Sequence, residues 1–95
     1  MELSEEQLKL LIELAEAMRP IEEIPYILGV DHDMFISQFF NKKSKVASTY
    51  YKHFYLTEHK INKLKVEQAK QGSKPAQDAV AVMIDFAKHK NQQYD

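Results

Sequence analysis

The 95-residue chain contains no cysteine, only two glycines and three prolines, and no long apolar run. The absence of cysteine excludes disulfides and thiolate metal sites, and it fits a reducing compartment. No apolar segment approaches the roughly 20 residues that a membrane-spanning helix needs. The acidic start, MELSEEQ, also lacks the basic stretch and apolar run of a secretion signal. We therefore expect a soluble, cytoplasmic protein that has no membrane partner.

Segments that alternate between polar and β-branched residues are missing as well, and this predicts an all-α fold. Ser4 and Gln7 form a capping-box pattern at the start of a first helix, which we expect to run to about Met18. Residues 1–43 are expected to form a three-helix helix-turn-helix domain.

Residues 44–95 are expected to form a helical hairpin that makes one compact unit with this domain and is the expected oligomerisation region. Ser44 caps a long helix and Gly72 is its natural stop. Ser73 or Lys74 is expected to cap a last helix whose first turn holds Pro75. We expect this helix to fold back antiparallel on the long one. The positions expected to be buried are Ala47, Tyr50, Phe54, Ile61 and Leu64 on the long helix, and Ala79, Val82, Met83 and Phe86 on the last.

Residues 21–40, IEEIPYILGVDHDMFISQFF, have the pattern of two short helices around a tight turn. Leu28 follows Ile24 by four residues on the inner face of the first helix, and Gly29 is a turn residue that tolerates a positive φ. Asp31 is a good N-cap for the second helix. This is the pattern of a helix-turn-helix, whose second helix lies in the major groove in DNA-binding versions.

The outer face of that second helix is a poor surface for reading DNA, because it combines polar residues with an acidic one. Placing its phenylalanines Phe35 and Phe39 inward leaves an outer face of Asp33, Ser37 and Asn41, flanked by Met34 and Gln38. Serine and asparagine can contact phosphates or base edges, whereas Asp33 would be repelled by phosphate. Pro25 costs a backbone hydrogen bond unless the first helix begins late. We expect Ile36 and Phe40 to pack under the long helix.

Charge is unevenly distributed although the net charge is only −1. Residues 1–33 carry nine acidic and two basic residues, whereas residues 34–70 carry eight lysines and two acidic residues. The basic segment suits the phosphate backbone of double-stranded DNA. A solvated lysine face is the alternative interpretation. The candidate DNA-binding residues are Ser37, Gln38, Asn41, Lys42, Lys43, Lys45 and Lys52.

Four aromatic residues, Tyr50, Tyr51, Phe54 and Tyr55, lie close together among lysines. Such rings can stack on single strands, but rings on one helix more often pack in a core or between helices. Tyr51 and Tyr55 lie beside the inner stripe of the long helix. They are therefore the candidate interface residues of a homo-oligomer.

The sequence has no arrangement that indicates catalysis. Its serines occupy caps or helix faces without a nearby histidine and aspartate pattern, and there is no glycine-rich phosphate loop. The four histidines are not spaced four apart on one helix, as a pair of zinc ligands would be. We therefore expect a non-enzymatic protein with no cofactor and no metal site.

The expected N-terminal helix is followed in order by the segments EIPYILGVDHDMF, SKVASTYYKHF and AKQGSKPAQDAV. In this order of elements, residues 4–90 resemble the small terminase subunits of tailed phages and prophages that have homeodomain-like helix-turn-helix domains. The resemblance implies an N-terminal domain that recognises viral DNA, a hairpin that assembles subunits, and a C-terminal segment that engages the large terminase subunit. It matches Gly29 to the turn and Asp31 to the start of the recognition helix. It implies DNA contacts from Ser37, Asn41, Lys42 and Lys43, and a hairpin made of residues 50–71 and 76–88.

Pro25 and Asp33 depart from a simple DNA-reading pattern, and a docking segment after Lys88 would be very short. Two other functions therefore stay open. The chain could be a dimeric helix-turn-helix transcription regulator, or it could be a protein-interaction module in which the helix-turn-helix is structural and the acidic N-terminal face binds a basic partner. If the protein is phage-encoded, we expect it in the host cytoplasm.

Overall fold

The computed structural model describes residues 1–94, and all the regular elements in that range are helical. The α-helices are α1 (Glu5–Glu16), α2 (Ile24–Leu28), α3 (His32–Ser37), α4 (Lys45–Lys70) and α5 (Lys74–Asn91). Short 3₁₀ turns cover Ile21–Glu23, Gln38–Phe40 and Gln92–Tyr94. The predicted all-α fold is confirmed.

Two compact units divide the chain, the first covering Met1–Glu58 and the second beginning at His59. The division falls inside α4, whereas the sequence placed the boundary before this helix. The N-terminal part of α4 belongs to the first unit because it supplies Val46 and Tyr50 to the core there.

Hydrogen-bonded caps fix both ends of α1. The Ser4 hydroxyl accepts a hydrogen bond from the Gln7 N–H (3.1 Å), and the Gln7 side chain accepts one from the Ser4 N–H (2.9 Å), so the predicted capping box is confirmed. The helix ends before Met18, which adopts a left-handed φ of 62°. The Arg19 N–H then donates to the Leu14 carbonyl (3.0 Å), which closes a Schellman-type end.

The helix-turn-helix pattern has the predicted turn chemistry. Pro25 stands at the start of α2, where a backbone N–H would have no partner within the helix. Gly29 has a φ of +74°, and the Asp31 carboxylate accepts a hydrogen bond from the Met34 N–H (2.9 Å). The roles expected of Gly29 and Asp31 are confirmed, and α2 begins late enough to accept its proline.

The core of the first unit combines side chains from α1, α2, α3 and the start of α4. Phe35, Leu11, Ile24 and Pro25 are the largest fully buried side chains. Phe39 packs against them from the 3₁₀ turn after α3, with its ring centroid 5.3 Å from that of Phe35. The buried apolar cluster consists of Leu11, Leu14, Ala15, Ile24, Leu28, Phe35, Val46 and Tyr50.

Tyr50 is the polar member of this core. Its hydroxyl donates a hydrogen bond to the Arg19 carbonyl (2.7 Å), which ties α4 to the segment that follows α1. Burial raises the pKa of the Tyr50 hydroxyl, and the neighbouring Tyr51 and Tyr55 hydroxyls raise it further. The folded state therefore favours the neutral Tyr50 hydroxyl, which donates the hydrogen bond to Arg19.

Phe40 does not join the core. Its side chain is 86% exposed, so the expectation that it packs under the long helix was wrong, whereas Ile36 is partly buried against the core. The chain leaves the α-helical register at the 3₁₀ turn Gln38–Phe40, and the tighter turn changes the direction in which each side chain points.

In the second unit, a tight turn connects the end of α4 to α5. Gly72 adopts a φ of +97°, and the Ser73 N–H donates to the Gln68 carbonyl (3.1 Å), as in a Schellman end. The Ser73 hydroxyl accepts a hydrogen bond from the Ala76 N–H (3.4 Å). Both the stop at Gly72 and the cap at Ser73 are confirmed.

Burial in the second unit is sparse. Ala76 is the one buried residue among positions 59–94. The expected burial of four other side chains was wrong, because an apolar stripe on a helix is buried only where other elements cover it. These side chains are Ile61 (42% exposed), Leu64 (55%), Val82 (69%) and Phe86 (63%).

Candidate nucleic-acid interface

The link between α3 and α4 has a defined geometry that depends on Ser44. The Ser44 hydroxyl donates a hydrogen bond to the Gln38 carbonyl (2.8 Å) and accepts one from the Ala47 N–H (3.1 Å). One side chain therefore caps α4 and anchors the end of the helix-turn-helix at the same time. The position of the link relative to α4 is fixed by these two bonds.

Asn41 tightens the same link. Its side-chain oxygen accepts a hydrogen bond from the Lys43 N–H (3.0 Å), and its carbonyl accepts one from the Ser44 N–H (2.9 Å). The side-chain amide hydrogens of Asn41 make no hydrogen bond within residues 1–94 and remain as donors. A donor at an exposed turn suits a phosphate oxygen.

Three exposed lysines, Lys42, Lys43 and Lys45, surround the N-terminus of α4. The first turn of this 26-residue helix has no acidic residue, although acids are the side chains that a helix N-terminus favours. The positive end of the helix dipole thus adds to three ammonium groups. This part of the first unit has the electrostatic character of an anion-binding surface.

None of the four candidate lysines forms an ion pair within residues 1–94. The ion pairs found there are Arg19–Glu23, His32–Asp33 and Lys74–Asp78. Lys52, on the second turn of α4, is exposed like the three lysines before it. All four ammonium groups are therefore available to an external anion.

The outer face of α3 has a different character. Asp33 has a side chain that is 99% exposed, and Met34 beside it is 55% exposed. The Ser37 hydroxyl is already bonded to the Met34 carbonyl (2.7 Å), which leaves it only as an acceptor. Since phosphates and most base edges need donors from the protein, α3 offers little to DNA.

The remaining candidate side chain, Gln38, is half-buried at the end of α3, and its carbonyl is the acceptor for Ser44. The site residues predicted from the sequence thus fall into two groups. Asn41, Lys42, Lys43, Lys45 and Lys52 lie on the link and the first two turns of α4, whereas Ser37 and Gln38 lie at the end of α3. The role of all seven residues in DNA binding stays a prediction.

Tyr51 and Tyr55 lie one turn apart on α4 with nearly parallel rings, 17° between planes and 5.8 Å between centroids. Together with Lys42 they line an open cleft of about 230 Å³. The sequence did not predict this cleft, because no helical spacing relates Lys42 to the two tyrosines and the geometry of the link decides their approach. The role of the two tyrosines in an oligomer interface stays a prediction.

Comparisons with protein-family models, curated proteins and solved structures give no match for this chain. None of the helices formed by residues 1–94 combines the length and the apolar character that a membrane-spanning segment requires. The same residues contain no group of three or more histidine, aspartate or glutamate side chains placed to hold a metal ion.

Proposed function

We propose that this protein is a non-enzymatic, helix-turn-helix DNA-binding protein that holds duplex DNA through the link and the N-terminus of α4. The observation that carries the proposal is the convergence of Lys42, Lys43 and Lys45 on a helix N-terminus without any acidic residue in its first turn. The amide donor of Asn41 and the ammonium of Lys52 extend the same surface. The primary contacts are phosphates, so binding depends strongly on salt.

Within this proposal the protein is a homo-oligomeric subunit of the small-terminase type, acting in phage DNA packaging with a large terminase subunit as a further partner. The resemblance of residues 4–90 to that family supports this more specific proposal. A dimeric transcription regulator would use the same surface. Sedimentation equilibrium distinguishes the packaging subunit from the regulator. A dimeric regulator has the mass of two 11.1 kDa chains, whereas a packaging subunit that assembles into a ring has a larger mass.

The test of DNA binding is the joint substitution of Lys42, Lys43 and Lys45 by glutamine. If each lysine neutralises one phosphate, the slope of log affinity against log salt falls by up to about 3, because each phosphate contact contributes roughly 0.9. Fluorescence anisotropy of a labelled duplex at several salt concentrations measures this slope, and circular dichroism checks that helicity is retained.

A matched control replaces three exposed lysines of the second unit that make no ion pair within residues 1–94, Lys60, Lys70 and Lys88, by glutamine. This variant has the same net charge as the first, so a general charge effect lowers both slopes equally. The proposal requires a clearly larger decrease for the link variant. Equal slopes in the two variants would remove the link from the DNA interface.

A second candidate function is a protein-interaction module, and the exposed face of α3 is the observation that favours it. Met34 is an exposed apolar side chain beside an exposed carboxylate, Asp33, a combination that suits a protein surface better than a phosphate backbone. Intact folding without salt-sensitive DNA affinity supports this function instead of DNA binding.

A further inference from the structure

The cleft at Lys42, Tyr51 and Tyr55 joins two chemistries at one place on the first unit. Two tyrosine rings present an aromatic surface, and a lysine that makes no ion pair within residues 1–94 provides a positive charge beside it. Aromatic faces bind planar ring systems by stacking, and ammonium groups bind phosphates. A ligand that has both a planar ring and a phosphate matches this pair of groups.

The aromatic part of the cleft is preorganised. Tyr51 is half-buried, and its ring is held by edge-on contacts to Phe39 (5.8 Å between centroids) and Tyr50 (5.5 Å). Tyr55 stacks on Tyr51 and is 58% exposed, so its ring is supported from within and open to solvent. A ring that is already ordered loses little side-chain entropy when a ligand stacks on it.

The size of the cleft limits the ligand. Sites that enclose a drug-sized molecule have volumes of about 300–1,000 Å³, and the cleft, at about 230 Å³, is smaller and open on one side. One heterocyclic ring system fits this space while the rest of the ligand lies outside. In a DNA duplex every internal base is stacked between neighbours, and a terminal base pair exposes one face but stays paired. An unpaired or extruded base is therefore the kind of base that can enter the cleft on its own.

We propose that this cleft binds a single unpaired nucleotide of DNA, with the base on the Tyr55 ring and a phosphate at Lys42. This inference deepens the proposed function and rests on it, since the link lysines bring the DNA to the first unit. The protein then prefers DNA that carries a single-stranded end or an open base over the same DNA as a blunt duplex.

The experiment compares three labelled DNAs by fluorescence anisotropy: a blunt duplex, the same duplex with a short thymine extension, and the thymine strand alone. The wild-type chain is expected to bind the extended duplex more tightly than the blunt one. Tyr55→Ala is expected to lose about 5- to 150-fold in affinity for the extended duplex and to keep its affinity for the blunt duplex, since stacking contributes this much per base.

Three control variants make the test specific. Tyr55→Phe keeps the ring and should keep the preference for the extension. Tyr26→Ala removes a tyrosine that is 77% exposed on α2, away from the cleft residues in the sequence, and should change nothing. Lys42→Gln should weaken binding of the extended duplex and lower its salt slope by about 1.

The outcomes separate this inference from the proposed function. In one outcome the blunt duplex binds tightly and in a salt-dependent way, but Tyr55→Ala has no effect on binding of the extended duplex. This outcome overturns nucleotide binding in the cleft and supports the proposed function. Binding of the thymine strand through Tyr55 without binding of the blunt duplex supports the cleft and overturns the proposed duplex binding. A change in oligomer mass in Tyr55→Ala, with DNA affinity unchanged, assigns the tyrosines to a subunit contact and also overturns the cleft.

Discussion

The two units of the chain use the same local devices but differ in their cores. Each has a glycine with a positive φ at a helix end, Gly29 in the first unit and Gly72 in the second, followed by an N-cap side chain, Asp31 or Ser73. Among residues 1–94, only those of the first unit form a cluster of fully buried side chains after these turns. Local signals thus specify where helices begin and end, while the burial that stabilises them depends on how many elements meet.

The largest expected effect comes from a matched pair of phenylalanine substitutions, one in each unit. Phe35 is fully buried and Phe86 is 63% exposed. We expect Phe35→Ala to lower the free energy of unfolding by about 3–5 kcal/mol through lost burial and a cavity. Phe86→Ala should lower it by less than about 1 kcal/mol, because it loses only surface contacts such as that with Lys90.

Urea unfolding followed by circular dichroism measures both substitutions. The two variants have the same change in side-chain volume, so the difference between them reports the environment of each ring. Similar losses of stability in the two variants would mean that another molecule, such as a second copy of the chain, covers Phe86 in solution. The contrast between the two units would then disappear.

The second prediction compares the two turn glycines. A Cβ would meet no atom within 4 Å at either Gly29 or Gly72, so alanine costs only the strain of its positive φ, about 1–2 kcal/mol. In Gly29→Ala this cost should destabilise the whole first unit. In Gly72→Ala it should increase amide exchange at the end of α4 and the start of α5.

Hydrogen exchange measured residue by residue distinguishes these responses. In Gly72→Ala the amides of the buried core around Phe35 should exchange as they do in the wild-type chain. Faster exchange in that core of Gly72→Ala would show that the two units unfold together in a single cooperative transition.

The smallest expected effect concerns Tyr50. Tyr50→Phe removes the hydrogen bond to the Arg19 carbonyl and should lower the free energy of unfolding of the first unit by about 0.5–1.5 kcal/mol near neutral pH. Because the folded state raises the pKa of the hydroxyl, the wild-type stabilisation is complete below about pH 10, the ordinary tyrosine value. It is lost as the pH rises through the higher pKa of the folded state.

Urea unfolding at pH 7 and above pH 10 tests the sign of this dependence. The wild-type chain should lose more stability over that range than Tyr50→Phe, which has no hydroxyl at this position to ionise. An equal loss in both proteins would assign the alkaline sensitivity to other groups.

Sequence patterns predicted the local features of this fold well. The capping box of Ser4, the positive φ of Gly29 and the caps at Asp31 and Ser73 follow from side chains within a few residues of the backbone groups that they serve. Such interactions depend on little beyond the local sequence. The all-α fold class follows from the same signals.

The features that sequence could not predict depend on distant parts of the chain. A helical stripe shows which residues share a face, but it does not show whether another element covers that face. Phe40, Val82 and Phe86 fit apolar stripes and are nevertheless exposed. The approach of Lys42 to Tyr51 and Tyr55 likewise depends on how Ser44 fixes the link, and no spacing along the sequence encodes it.

The hydrogen bond between Tyr50 and Arg19 has a kinetic consequence. It joins residues 31 positions apart, so the first unit cannot complete its core until the chain between them has closed into a loop that contains the entire helix-turn-helix. Loop closure carries an entropic cost before the contact stabilises it, and distant contacts slow folding. The helices of the second unit are joined by neighbouring residues and can form on the submicrosecond to microsecond timescale of helix formation. Completion of the first unit, and with it the proposed DNA surface, therefore sets the rate at which a newly made chain becomes competent to bind.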